Sequence, residues 1–146
     1  MPEQETIERA RKDKREGKSP STQAGEFVKE EIHHIREGKH GARSTKQAIA
    51  IGLSKARRAG VRLKPPSSAP VKIRERAEQD YEKGQSHSAK PVSSRRSRST
   101  SRALRREGKQ AASRRALSRQ ARASSHRRGA AARSASASKA AKTRKH

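Results

Sequence analysis

The sequence predicts a mainly α-helical protein with extensive disorder: a small helical hairpin, extended to three helices if a downstream segment joins it, followed by a disordered basic tail. Three observations predict it. Ile, Leu, Val and Phe together number 15 of 146 residues, and the aromatic side chains are Phe27 and Tyr81, too little apolar material for a conventional core of this length. Lys and Arg number 39 against 14 Asp and Glu, a formal charge of +25. Nine of the 17 large apolar side chains lie between residues 22 and 63, where they recur at helical spacing.

Residues 1–21 read as a polar, charged helix or a disordered arm. Glu5 with Arg9 and Glu8 with Lys12 are favourable i, i+4 pairs, so Glu3 to Glu16 is expected to be a solvated, fraying helix. Residues 22–63 form the hairpin module. In its first helix Ala24, Val28, Ile32 and Ile35 make the apolar stripe, Phe27 sits beside it, and Gly38 is a left-handed stop. Lys39 to Arg43 connect to a second helix opened by Ser44-Thr45-Lys46-Gln47, a capping-box pattern, with Ile49, Leu53 and Ala56 as its stripe and Gly60 as its end. Two antiparallel helices are the simplest way to bury both stripes. Residues 64–69, with Pro65-Pro66, are a stiff linker. Residues 70–85 are expected to form a third amphipathic helix with Ile73, Ala77 and Tyr81 at i, i+4 and i+8, Pro70 at the start and Gly84 at the end.

Residues 86–146 hold 19 basic side chains and one acid, Glu107. Arg, Lys, Ser and Ala make up 47 of these 61 residues, and like charge at this density is expected to keep the segment open until an anion neutralises it. Leu104 and Leu117 lie in similar contexts, each expected to nucleate a short helix once phosphates remove the repulsion. Arg-Glu-Gly-Lys occurs three times, at 15–18, 36–39 and 106–109. A glycine flanked by lysine is a good helix terminator, and that reading outweighs a dedicated anion-binding turn.

Chemistry other than electrostatics finds little footing. Without cysteine there is no disulfide or thiolate metal site and no mark of an oxidising compartment. The longest apolar run, Ala48 to Leu53, is far short of a membrane span, and Met1 to Glu16 lacks the apolar centre of a secretory signal, so a soluble intracellular protein without membrane contact is expected. His33 and His34 are adjacent and His40 lies beyond Gly38, so the i, i+4 geometry of a zinc-binding helix is missing, and no metal or other cofactor is expected. No phosphate-cradling glycine loop is present; Gly38-Lys39-His40-Gly41 follows no apolar strand. Carboxylates sit among Lys and Arg as solvated pairs. With so little apolar material to enclose a substrate, neither an enzyme nor a small-molecule substrate is expected, and no residue is assigned a catalytic role.

The remaining signal is phosphate binding. On the second helix Lys46, Ala50, Ser54, Arg57 and Arg58 share a face with basic ends and small residues between, and Arg43, Lys55 and Arg62 extend its rim. The tail adds Arg95, Arg96, Arg98 and Arg102, then Arg105 and Arg106, then Arg114, Arg115, Arg119 and Arg122, followed by Arg127 and Arg128. Its lack of aromatics removes base stacking, which disfavours single-strand and sequence-specific RNA binding. Neutralising about ten phosphates predicts a logarithmic salt slope near −9 on duplex DNA. Ser97, Ser99 and Ser101 lie among arginines, where phosphorylation lowers the local charge.

The string from Ser44 to Gly60, with Glu26-Phe27-Val28 and Gly38-Lys39-His40-Gly41 before it, resembles the core of a family of small basic bacterial proteins. The similar portion runs from about Ser19 to Leu63. That family has no established activity and is loosely described as DNA-binding, which implies a bacterial, cytoplasmic setting. The tail resembles those of linker-histone-like and other bacterial nucleoid proteins. The expected function is therefore non-enzymatic, largely sequence-independent DNA binding at the nucleoid. The alternatives are an RNA- or ribosome-associated basic protein, and an interaction module whose helices bind an acidic partner or a second copy of the chain.

Overall fold

The computed structural model describes residues 1–87 and 91–144. Among these, six α-helices follow one another: α1 (Gln4–Arg15), α2 (Pro20–Glu37), α3 (Thr45–Arg58), α4 (Val71–Gln85), α5 (Ser94–Arg105) and α6 (Arg114–Arg144), with a single 3₁₀ turn at Gln110–Ala112. The chain divides into two units, residues 1–112 and 113–146.

In the first unit α2 is the central helix. Ser19 caps it, accepting from the Thr22 amide at 3.3 Å, and Pro20 occupies its first turn. It ends at Gly38 with φ 81°, where the Lys39 amide donates to the His34 carbonyl and the Gly38 amide to that of Ile35. Helix α3 packs along α2 through Ala48, Gly52 and Ala56, three small buried residues at i, i+4 and i+8. Ile49 and Leu53, the expected stripe, are half-buried at its edge. The Ser44 hydroxyl accepts from the Gln47 amide at 3.1 Å, whereas the Gln47 side chain accepts from the amide of Arg43, one residue earlier than a capping box requires.

Helix α1 is docked rather than fraying. Thr6, Ala10 and Asp13 form a buried stripe, and Ala10 joins Ala24, Phe27, Ala56 and Val61 in the core with Ile7, Leu53 and Leu63 at its margin. Arg9 donates to Glu26 of α2 at 2.8 Å. Helix α4 packs on α3 through Ala77, Asp80 and Gly84, leaving Ile73 of the expected apolar stripe 56% exposed. A Cβ on Gly84 would lie 1.8 Å from the Arg57 carbonyl oxygen.

The expectation of extensive disorder with a disordered basic tail is overturned. Helices α5 and α6 occupy most of the basic segment. Arginine and alanine are both strong helix formers, and like charges four residues apart cost only about 0.2–0.5 kcal/mol per pair, so average charge overstated the repulsion. Ser93 and Ser113 cap the starts, accepting from the amides of Arg96 and Ala116 at 3.5 and 3.1 Å. Residues 104–112 then strap the α2–α3 turn. The amides of Gly41 and Ala42 donate to the carbonyls of Leu104 and Gly108 at 2.9 and 3.2 Å. The Thr45 hydroxyl donates to the Ala111 carbonyl at 2.7 Å and Arg36 Nε to that of Ala112 at 2.9 Å. In the second unit, α6 has no buried residue and changes direction at Gly129, where φ is 80° and ψ 166°.

Candidate nucleic-acid interface

The basic residues of the hairpin divide into two groups. Lys46 and Arg62 are exposed, and Arg43 is 81% exposed with its Nε 3.9 Å from Glu107. The others have internal work. Arg57 is 7% exposed and its Nε donates to the Leu63 carbonyl at 3.1 Å; burial pushes its guanidinium below its ordinary pKa. Lys55 Nζ pairs with the Glu31 carboxylate, which is itself 1% exposed. Arg58 Nε donates to Asp80 at 2.7 Å, and the Ser54 hydroxyl donates to the other Asp80 oxygen at 2.6 Å. The face running from Lys46 through Ser54 to Arg57 and Arg58 thus meets α4 at its C-terminal end, where Arg58 stays exposed but is paired with Asp80. Arg57 and Lys55 leave the phosphate-facing set, Arg57 because it is buried and Lys55 because its charge is held by the buried carboxylate of Glu31.

The arginines of the later helices are all exposed. Arg95, Arg98, Arg102 and Arg105 lie at i, i+3, i+7 and i+10 of α5, within an arc of about 80° and over about 15 Å of helix. Arg96 lies off this arc and Arg106 is the C-cap. On α6, Arg115, Arg119, Arg122 and His126 recur at i, i+4, i+7 and i+11 and, with Ser118 and Ala123, line a shallow concavity. Arg114, Arg127 and Arg128 point away from that face by their register. Among the described residues none of these arginines pairs with a carboxylate. Reading the arginines by proximity in sequence concealed this helical register.

A second constellation lies at the turn between α2 and α3. Glu31 is buried, with His40 Nε2 3.2 Å from its Oε2 and His34 Nδ1 4.0 Å from its Oε1. His34 Nε2 meets Glu3 Oε1 at 2.9 Å, and His40 Nδ1 meets the Gly41 carbonyl at 2.9 Å. Glu31, His34 and His40 each offer one ligand atom, all within 4.8 Å of one another. A search for histidines four apart on a helix missed them. The signal was Glu31-x-x-His34 followed by a left-handed glycine, because a chain leaving a helix through such a turn doubles back over its last turn.

No helix among the described residues is long and apolar enough to cross a membrane. No curated protein and no solved structure matches the chain. Residues 11–67, from within α1 to the linker after α3, match a family of unknown function (DUF6496), and the match ends before α4 and the basic helices, so it lends nothing to the linker-histone likeness of the tail.

Proposed function

We propose that the protein is a non-enzymatic nucleic-acid-binding protein that grips the phosphate backbone of duplex DNA, largely without regard to sequence, and acts at the bacterial nucleoid. The observation that carries this is the arginine face of α5. Four exposed guanidinium groups, none paired with a carboxylate among the described residues, are set along about 15 Å of helix. One DNA strand presents a phosphate every 3.4 Å or so of axis, so about four phosphates lie along the same length. Arg115, Arg119 and Arg122 of α6 supply a second set of the same kind. The scarcity of aromatics leaves no stacking platform, which favours backbone over base recognition.

Fluorescence anisotropy of the full chain against matched DNA and RNA duplexes of two unrelated sequences, over a salt series, tests this. Seven backbone contacts give a logarithmic salt slope near −6 on DNA, equal for both sequences. Replacing Arg95, Arg98, Arg102 and Arg105 together by Gln is expected to remove about 4 from that slope and weaken binding at least a hundredfold at low salt. A slope the quadruple variant leaves unchanged sinks the assignment to α5. Preference for RNA over DNA at equal salt transfers the function to structured RNA. Failure to bind either duplex makes an acidic protein the partner.

A further inference from the structure

We propose that Glu31, His34 and His40 bind one divalent transition-metal ion of the zinc type at the turn between α2 and α3. The argument begins with where the protons must be. His34 Nε2 faces a carboxylate oxygen of Glu3 at 2.9 Å, and His40 Nδ1 faces the Gly41 carbonyl oxygen at 2.9 Å. Both oxygens can only accept, so each of these nitrogens carries its ring's hydrogen. In the neutral imidazoles the opposite nitrogens, His34 Nδ1 and His40 Nε2, are then lone-pair donors, and both lie beside the carboxylate of Glu31.

Three electron-pair donors within 4.8 Å of one another repel unless a cation joins them. Lys55 satisfies only one oxygen of Glu31; Oε2 is buried and has no hydrogen-bond partner, although His40 Nε2 stands 3.2 Å away. The separation suits a shared ion, since ligand atoms about 2.0–2.1 Å from a tetrahedral metal stand about 3.3 Å apart. His34 Nδ1 stands 4.0 Å from the other oxygen, Oε1, which Lys55 also holds, and a small side-chain adjustment brings it to the shared ion.

The surroundings match what such an ion needs. Metal-bound histidines donate their second nitrogen to a carboxylate or carbonyl, which fixes tautomer and ring orientation; here Glu3 and Gly41 hold those places. Two imidazoles and one carboxylate are a donor set that zinc accepts, with the fourth position left to water. His34 and His40 side chains are 11% and 17% exposed, enough for an ion to enter and little enough to shield the carboxylate. The neighbouring Glu3, Glu30 and His34 group offers one nitrogen only, and Glu3 there is half-exposed and paired with Lys39. The ion would fasten the end of α2 to the loop whose Gly41 amide meets residue 104.

The test is zinc chloride titrated into the full chain, read by calorimetry and by the nitrogen-15 resonances of the histidine rings. One ion per chain with micromolar or tighter affinity is expected, with metal-induced shifts at His34 Nδ1 and His40 Nε2 while His34 Nε2 and His40 Nδ1 keep their protons. His40→Ala is expected to weaken binding at least tenfold, and His33→Ala, whose ring lies outside the cluster, to leave it unchanged. The ring resonances of the unaltered protein decide the matter even if His40→Ala fails to fold. Shifts confined to other histidines, no binding below about 100 μM, or a doubly protonated His40 at neutral pH that zinc does not displace would each overturn the site.

Discussion

At Gly52 the two central helices meet through backbone: a Cβ there would lie 2.7 Å from the Cα of Val28. Neither atom is the end of a flexible side chain, so Gly52→Ala must push α2 and α3 apart. The expected cost is about 1–3 kcal/mol in denaturant unfolding even though alanine favours the helix, and an unchanged midpoint would show that the two helices separate freely. Arg57 makes the complementary point for a long side chain. Arg57→Ala removes a packed stem and leaves the Leu63 carbonyl without its donor, so a loss of about 1–3 kcal/mol is expected, with little change in DNA affinity. Lysine and arginine were read from the sequence as surface charge, yet Lys55 and Arg57 are structural. Only the position of the partner distinguishes the two roles: Glu31 is 24 residues from Lys55, and nothing local announces the pairing.

Helix termini were the most legible elements, because their signals are local. Gly38, Ser44 and Gly60 stand where caps and stops were expected. The repeated Arg-Glu-Gly-Lys motif acts as a helix terminator in its first two copies. Gly17 and Gly38 have φ of 73° and 81°, and each lets the following lysine turn back onto the motif's own glutamate, Lys18 on Glu16 at 2.8 Å and Lys39 on Glu37 at 3.2 Å. The hydrogen bond from Lys18, and then its charge, hold the Glu16 carboxyl below the usual range. A carboxyl whose folded pKa is depressed contributes stability that is present above its unfolded value and lost as pH falls through the folded one. Melting temperatures of the native protein and Glu16→Gln should therefore differ at neutral pH and converge below about pH 4; a gap that persists in acid would assign the effect to shape rather than charge. The docking of α1 and α4 was less legible, since their buried stripes are Thr6, Ala10, Asp13 and Ala77, Asp80, Gly84. Hydrophobic periodicity cannot see a seam made of small and polar residues. Gly84→Ala, whose methyl would collide with the Arg57 carbonyl, is expected to release α4 and speed proteolysis in the linker at 64–69.

For the molecule as a whole, the sequence holds too few large apolar side chains for a conventional core, and like charge was expected to keep its last 61 residues open. The first unit instead closes with alanine, threonine and backbone groups, which that count ignored. Ala111 and Ala112 are buried, and Thr45 and Arg36 spend their donors on the carbonyls of that segment. The second unit stands on a different footing, because α6 has no fully buried residue and draws mainly on helix propensity. Circular dichroism on heating should accordingly show two regimes, a shallow, continuous loss of helix from residues 114–144 and a cooperative step from residues 1–112. A single sharp transition carrying the whole signal would mean that α6 is held by packing.

The strap at residues 104–112 also bears on the order in which the protein can be made. Its hydrogen bonds join positions more than sixty residues apart, so the amides of Gly41 and Ala42 meet their native acceptors only after two-thirds of the chain has been synthesised. Until then the helical hairpin has to persist with its turn solvated, and closing so long a loop is an entropic step that no local signal accelerates. The segment after α5 is therefore also what completes the first unit, and a ribosome that stops before it leaves the turn of the hairpin open.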